Sequence, residues 1–387
     1  MIYSFGAKNY FSFKEGLEVS FEFNSKVPKS ISNTKKTSPI LGIKGANASG
    51  KTRILTALKF ISNFICSSFG DDVDDKIAVK SFFDNSSPVE FYIDFSILDV
   101  RYTYELSVTE ECVLREALYK KISRKTLIIE RKKNTIKHRT SDFAALDLIT
   151  LRDNASIIDT ALQYSIKELA DDLKNIHAYF DQARGNVSEL GLIEDRVIYD
   201  HARISEYYYK TPASLEFAKK IITNSDLGIK DVIIHKTVDE SGNKKYFPVF
   251  HHDTLVGPEA RWLTYWEESD GTAALYRRLF QYWAALETGG LLLLDELDTN
   301  YHPALLPQIL DLFINEKTNP KHAQLLFTSH NLDIMDYLGK YRTYLVSKED
   351  GESFCYRLDE IPGDIIRNDR SISGLYREGK LGGVPKL

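Results

Sequence analysis

Gly45-Ala46-Asn47-Ala48-Ser49-Gly50-Lys51-Thr52 (GANASGKT, 45–52) is the stretch on which the fold turns. It fits G-x-x-x-x-G-K-[ST], a turn whose glycines let backbone N–H groups face an oxyanion while the next helix adds the partial positive charge of its N-terminus. The flanks supply the context this turn requires. Pro39 to Ile43 (PILGI) is an apolar run that reads as a buried strand, and Arg53 to Ser62 (RILTALKFIS) carries apolar residues at helical spacing. Strand, loop and helix follow in order, so the loop reads as a phosphate cradle. Backbone N–H groups from Ala46 to Thr52 are expected to wrap a β-phosphate, Lys51 to meet the β- and γ-phosphates, and Thr52 to give a hydroxyl to Mg²⁺. Arg53, next in the chain, is grouped with these nucleotide-binding residues. Without its flanks the same octapeptide is only a glycine turn before a surface helix.

Far downstream, Leu291 to Leu294 run straight into Asp295 and Glu296. Four consecutive aliphatic residues ending in acids read as a buried parallel strand. Open α/β sheets bind ligands at the C-terminal edges of their strands, so Asp295 can hold a Mg²⁺ water shell and Glu296 can act as general base on a water. The alternative is a core strand followed by an acidic helix cap.

Ser269-Asp270-Gly271-Thr272 lies 26 residues ahead of Asp295 and precedes a helical stretch, AALYRRLFQYWAALE. A serine and a glycine at a helix N-terminus make a second anion site, with Ser269 and Gly271 as its contacts. One chain does not need two such sites for one nucleotide. The economical reading gives the second to a γ-phosphate held by another subunit. Asp270 is awkward beside a triphosphate unless it points away, and Ser269 as a simple helix N-cap is the competing reading. The last of the four elements is Gln324 to His330 (QLLFTSH), an apolar strand delivering Ser329 and His330 to the same sheet edge, 35 residues after Asp295. There His330 can sense a γ-phosphate and polarise the water; alone it would be an ordinary loop histidine.

These motifs carry a resemblance. The chain resembles the ABC-type AAA ATPases of the RloA/AriA kind, relatives of the OLD, RecF and SMC/Rad50 heads, which are common in bacterial anti-phage loci. The opening IYSFGAKNYFSFKEG, with Asn9, Phe11 and Phe13 in an apolar hairpin, is similar to the family's first strands. GANASGKT, ESDGT, DELDTNYHP and the closing LYREGKLGGVPKL continue the likeness, while residues 100–260 match only loosely. The resemblance implies an α/β P-loop head, a mixed sheet with flanking helices, bearing an antiparallel β-meander and a short helical insertion. It also implies ATP and Mg²⁺ as cofactors, ATP as the nucleotide, and an ATP-sandwiched homodimer or higher homo-oligomer. His302-Pro303 would lie where a loop contacts the opposite subunit, or form a structural turn.

Composition favours a soluble enzyme. With 387 residues and 43% apolar content there is material for a large core. The organisation expected is a single head: 1–100 with the phosphate loop, 101–260 with meander and helical arm, 261–387 with signature, acids and switch histidine. Three cysteines without metal spacing suggest a reducing, cytoplasmic setting. No run of 18 apolar residues and no leader precede the first strand, so no membrane role is expected. A net charge of −5 gives no general attraction to nucleic acid. Locally, Arg115 to Arg139 holds ten lysines and arginines in 25 residues. That could be a phosphate-contacting face using Lys120, Lys121, Arg124, Lys132 and Lys133; the favoured reading is the solvated side of a meander formed by FYIDFSI, RYTYELSV, ALYKKIS and TLIIERK. Residues 155–182 read as one or two helices, a modest arm without sustained heptads, whose stripe is core or a docking face. GNKK near Gly242 looks like a hairpin tip. No glutamine that couples nucleotide to the arm can be placed; Gln163 is better explained as a helix residue.

Paired anion sites imply an ATP-dependent switch: two antiparallel heads close on ATP and part when Glu296 and His330 hydrolyse it. Three outputs compete. One is a sensor in anti-phage defence governing a separately encoded effector, a nuclease or toxin, since nothing after His330 has room for a nuclease domain. The second is a RecF-like DNA clamp, with DNA as partner, and the third an ATP-gated scaffold with little turnover.

Overall fold

The computed structural model describes residues 1–164, 170–193, 200–225, 228–253, 261–299, 301–363, 365–366 and 370–383. Strands β1 (Ile2–Lys8) and β2 (Leu17–Ser20) form the opening hairpin, and β3 (Ile40–Gly45) runs into the phosphate loop and the helix Lys51–Ser67. A meander follows: β4 (Val89–Ile97), β5 (Val100–Val108), β6 (Val113–Lys121), β7 (Lys125–Lys132) and β8 (Thr135–Arg139). After it come the two-residue strand β9 (Arg184–Gly185), a hairpin of β10 (Ile229–Val238) and β11 (Lys244–His252), and β12 (Arg261–Thr264). The chain closes with β13 (Leu291–Leu294), β14 (Gln324–Thr328), β15 (Thr343–Glu349) and β16 (Glu352–Arg357).

Among the described residues these strands make an antiparallel sheet in the order β2-β1-β4-β5-β6-β7-β8, a small sheet β10-β11-β12, and a central sheet β16-β15-β3-β14-β13-β9. In the central sheet every pairing is parallel except β15 with β16. Parallel neighbours need long crossovers, and β3 lies between β14 and β15, strands almost 300 residues away in sequence. The ranges 1–100, 101–260 and 261–387 therefore cut across the sheets. Residue 100 opens β5, within the meander, and the meander continues the opening hairpin's sheet and is no part of an insertion.

Strand alternation assigns the cores. Leu291 and Leu293 of β13 face the core shared with the Lys51–Ser67 helix and the antiparallel sheet, whereas Leu292 and Leu294 face the core under the helix Asp270–Thr288. An apolar run with no polar alternation is what a strand covered on both faces requires. The helices Ile157–Gln163 and Asp171–Asp181 sit in the first of these cores. Leu173, Ile176 and Phe180 are buried there against the Lys51–Ser67 helix, so the stripe expected on an arm is core. Gln163 is the last residue of its helix, beside Asp159. Gly242 turns the β10–β11 hairpin at φ +82°. The charge around Glu194 to Arg196 lies outside the described residues.

Half of the ten cations of the basic stretch are paired with carboxylates. Arg115 bridges Glu105 and Glu130, Lys125 meets Glu105, Lys120 meets Asp172 and Arg139 meets Asp147. Arg131 is fully buried, with its Nε 2.8 Å from Glu116 Oε2 directly across the β6–β7 pair. The solvated-face reading of the meander fits this pattern; Lys120, one of the residues considered for phosphate contact, already holds a carboxylate.

Candidate functional site

The phosphate loop is shaped by close approaches. Gly50 takes φ +110°, and a Cβ there would sit 3.0 Å from Ser353 Oγ and 3.2 Å from the Phe13 ring. A side chain at this position meets both strain and a wall. The wall belongs to β16, whose Ser353 also donates to Ser49 O at 2.6 Å. Lys51 folds over the loop and donates to Gly45 O at 3.0 Å and Ala46 O at 2.9 Å. Burial pulls its pKa down, opposed by Asp295, Glu296 and Asp298 nearby.

β13 delivers the acids as its sequence implies. Asp295 is buried, and its two oxygens are taken by hydroxyls: Thr52 Oγ1 donates to Oδ2 at 2.7 Å and Thr328 Oγ1 donates to Oδ1 at 2.5 Å. A threonine hydroxyl and a carboxylate oxygen converging at the mouth of a phosphate loop are the hard oxygen donors that Mg²⁺ takes alongside phosphate oxygens and water. Among the described residues no cluster of three or more His, Cys, Asp or Glu side chains could hold a metal by itself. A cation here would thus be held jointly by Thr52, Asp295 and a bound nucleotide.

Glu296 is held at φ +51°, an uncommon conformation for a non-glycine residue, with its N–H donating to Thr328 Oγ1 at 2.8 Å. That turn swings its carboxylate off the strand line toward His330, whose Nε2 lies 3.7 Å from Glu296 Oε1; both side chains are nearly half exposed. A cleft of about 720 Å³ opens above, within the size range of small-molecule sites. Of the expected residues it is lined by Ala48, Gly50, Lys51, Thr52, Arg53, Asp295 and Glu296. Arg53 stacks on Phe11 at 3.9 Å and donates to Leu190 O at 2.8 Å, making one wall of the cleft.

A family model described as "AAA domain, putative AbiEii toxin, Type IV TA system" matches residues 40–336. The chain belongs to this AAA family. It is a P-loop ATPase, as the resemblance implied. No curated protein matches it. Among solved structures, it is similar to the Smc head bound to the C-winged helix domain of ScpA, at 15% identity over 93% of this chain and 99% of that one, TM-score 0.48. The Smc head with an extended coiled coil bound to the C-terminal domain of ScpA, derived from Pyrococcus furiosus, gives 13%, 93%, 97% and 0.45. The recombination mediator protein RecF of the RecFOR pathway gives 13%, 92%, 98% and 0.36.

Of the expected residues, Gly45, Ala46, Asn47, Ser49 and His330 do not line the cleft of this AAA ATPase. Ser269 and Gly271 are not among its lining residues. Ser269 caps the Asp270–Thr288 helix, accepting from Thr272 N at 3.1 Å. His302 caps the short turn at Pro303, accepting from Ala304 N, so His302-Pro303 acts locally as a structural turn. Residues given no role in the sequence reading bond directly to the expected ones. Thr328 binds Asp295 and Glu296 at once, Asp298 accepts the His330 N–H, and Asn186 binds the Asp295 backbone. Arg278, on the helix capped by Ser269, donates to Thr299 O at 2.8 Å and so ties that helix to the loop after the acids. Among the described residues no helix is long and apolar enough to cross a membrane.

Proposed function

We propose that this ATPase is an ATP-gated switch that dimerises on ATP and acts as the sensor or regulator of a bacterial anti-phage system, controlling a separately encoded effector. The observation that carries the chemistry is the placing of Thr52, Asp295 and Glu296 in one cleft, with His330 Nε2 3.7 Å from Glu296 Oε1. The family description, with its abortive-infection and toxin–antitoxin wording, supports the defence context.

In this reading Lys51 leaves its loop carbonyls for the β- and γ-phosphates, and Thr52 and Asp295 would hold Mg²⁺, which would neutralise phosphate charge. Glu296 takes a proton from the attacking water, and His330, close enough to share that water, polarises it toward the γ-phosphate. Ser269 and Gly271 of a second subunit close over the nucleotide, so binding is linked to the γ-phosphate and released by its loss. The DNA-clamp reading loses Lys120, which is held by Asp172, from the five residues it would use.

The test is native mass spectrometry of tagged Glu296→Gln protein purified from its host in ATP and Mg²⁺, with Lys51→Ala as the non-binding control. A closed dimer carrying another protein at fixed stoichiometry is expected. A dimer carrying only DNA would move the assignment to a clamp. Wild-type turnover by Glu296→Gln would remove Glu296 from the chemistry.

A further inference from the structure

Lys44 is the last side chain before the phosphate loop, and it is a lysine where β3 has otherwise only buried apolar or glycine positions. It is 6% exposed. Burying an ammonium is costly unless its N–H groups find acceptors. Lys44 Nζ donates to Ser329 O at 3.2 Å and also to His330 O. From the other side Asp298 accepts the His330 N–H, with Oδ1 at 3.0 Å and Oδ2 at 3.2 Å. The residue expected to read the γ-phosphate is thus gripped by a cation at its carbonyl and an anion at its amide. β14 ends at Thr328, and the last backbone bond to β3 runs from Ser329 N to Ile43 O at 3.4 Å, so at His330 these side chains take over.

We propose that Lys44 is a positioning residue: its ammonium, set against Asp298 across the His330 backbone, fixes the switch histidine where it can share a water with Glu296. The inference rests on the reading of His330 given above. Burial lowers the Lys44 pKa to about 8, with Asp298 raising it and Lys51 lowering it further, the mark of a charge retained against its environment for the bonds it makes. A methionine would fill the same space and suit the core better, so packing does not call for a lysine. The purpose lies in the two carbonyls, both belonging to the Ser329–His330 turn.

A double-mutant cycle decides this, because a residue acting only through His330 has nothing left to lose once His330 is gone. Lys44→Met, His330→Ala and the double variant are compared in steady-state ATP hydrolysis, with nucleotide affinity from a fluorescent ATP analogue and thermal unfolding recorded for each. Lys44→Met should lower kcat by about 10-fold or more while leaving nucleotide affinity within about 3-fold, and should cost less than about 3-fold in the His330→Ala background. Asp298→Asn approaches the same grip from its other end and should show the same non-additivity, which keeps the test open if Lys44→Met folds poorly. Losses that multiply fully in the double variants, or a Lys44→Met enzyme as fast as wild type, overturn the inference. A His330→Ala enzyme as fast as wild type overturns the reading of His330 itself, and the inference with it.

Discussion

Asn186 holds Asp295 by both of its backbone groups: Oδ1 accepts the Asp295 N–H at 2.7 Å, and Nδ2 donates to the Asp295 carbonyl at 2.9 Å. The side chain imitates one more rung of strand pairing. β9 pairs with β13 only at Leu292 and Leu293, and Gly185 permits this because a Cβ there would come within 2.0 Å of Leu293 O. One residue further on, the amide of Asn186 takes over the ladder and fixes the acid that would share Mg²⁺ with Thr52.

Asn186→Ala should therefore leave a buried N–H and C=O unpaired, at about 1–3 kcal/mol for an unsatisfied group, and let Asp295 drift. The expected outcome is a kcat lowered about 10-fold with a higher Mg²⁺ requirement. Asn186→Asp should be worse, since it keeps the acceptor, loses the donor and sets a second carboxylate beside Asp295. Magnesium titrations of ATP hydrolysis check both; unchanged half-saturation in the two variants would show that Asn186 serves the fold alone.

Glu116 and Arg131 form a second paired unit, remote from the cleft. Glu116 Oε1 also accepts from Tyr104 Oη at 2.8 Å and its carboxylate from Ile157 N, while Arg131 donates to the carbonyls of Arg152 and Ala155. The pair stitches the meander to the segment entering the helix Ile157–Gln163. Removing one partner from a buried pair strands the other charge, so Glu116→Ala should cost about 3–5 kcal/mol. Glu116→Leu with Arg131→Met should cost much less than either single change. Urea unfolding of the three variants measures this, and an equal loss in the double variant would contradict it.

How much of this could be read beforehand depended on how the chain signals each element. β3, β13 and β14 are short apolar runs that end in reactive residues, so Lys51, Thr52, Asp295 and His330 were legible in order. The meander was legible from alternation, yet its membership of the opening hairpin's sheet was not, because β1–β4 pairing joins residues about 90 apart with no local cue. β9 is two residues, Arg184 and Gly185, without an apolar run, which left Asn186 invisible. Asp298 sat inside a recognised motif and Lys44 just ahead of another, but only the folded backbone brings them to opposite sides of His330.

Asp336 gives a pH dependence. Burial raises its pKa, but bonds from the Ser373 hydroxyl and amide, the Ser371 hydroxyl and the Ile372 amide outweigh this and leave it below the usual carboxylate value. A depressed folded pKa means that the contribution is complete above the unfolded value, about 4, and is lost as pH falls through the folded one. The helix Ile372–Arg377, capped this way, should loosen in acid before the central sheet does. Asp336→Asn should reproduce that loosening at neutral pH. Hydrogen exchange of amides 371–377, normalised to intrinsic rates, reports it, and wild-type protection in the variant would assign the docking to packing alone.

Ser269 is where two physical roles meet at one hydroxyl. As a helix cap it accepts from Thr272 N, and Ser269→Ala on that basis costs about 1 kcal/mol of stability with turnover intact. As an anion contact for the other subunit's nucleotide, the same change should abolish turnover while ATP still binds through Lys51. Subunit mixing separates the roles. Lys51→Ala and Ser269→Ala chains are each expected to be inactive alone, but a mixed dimer combines the Lys51 of one chain with the Ser269 of the other in one complete site. Random pairing at equal amounts makes half the dimers mixed with one intact site of two, so about a quarter of wild-type activity should return. A Ser269→Ala enzyme that turns over at the wild-type rate, with only a lowered melting temperature, would leave Ser269 as a cap and take away the reason for a site shared between subunits.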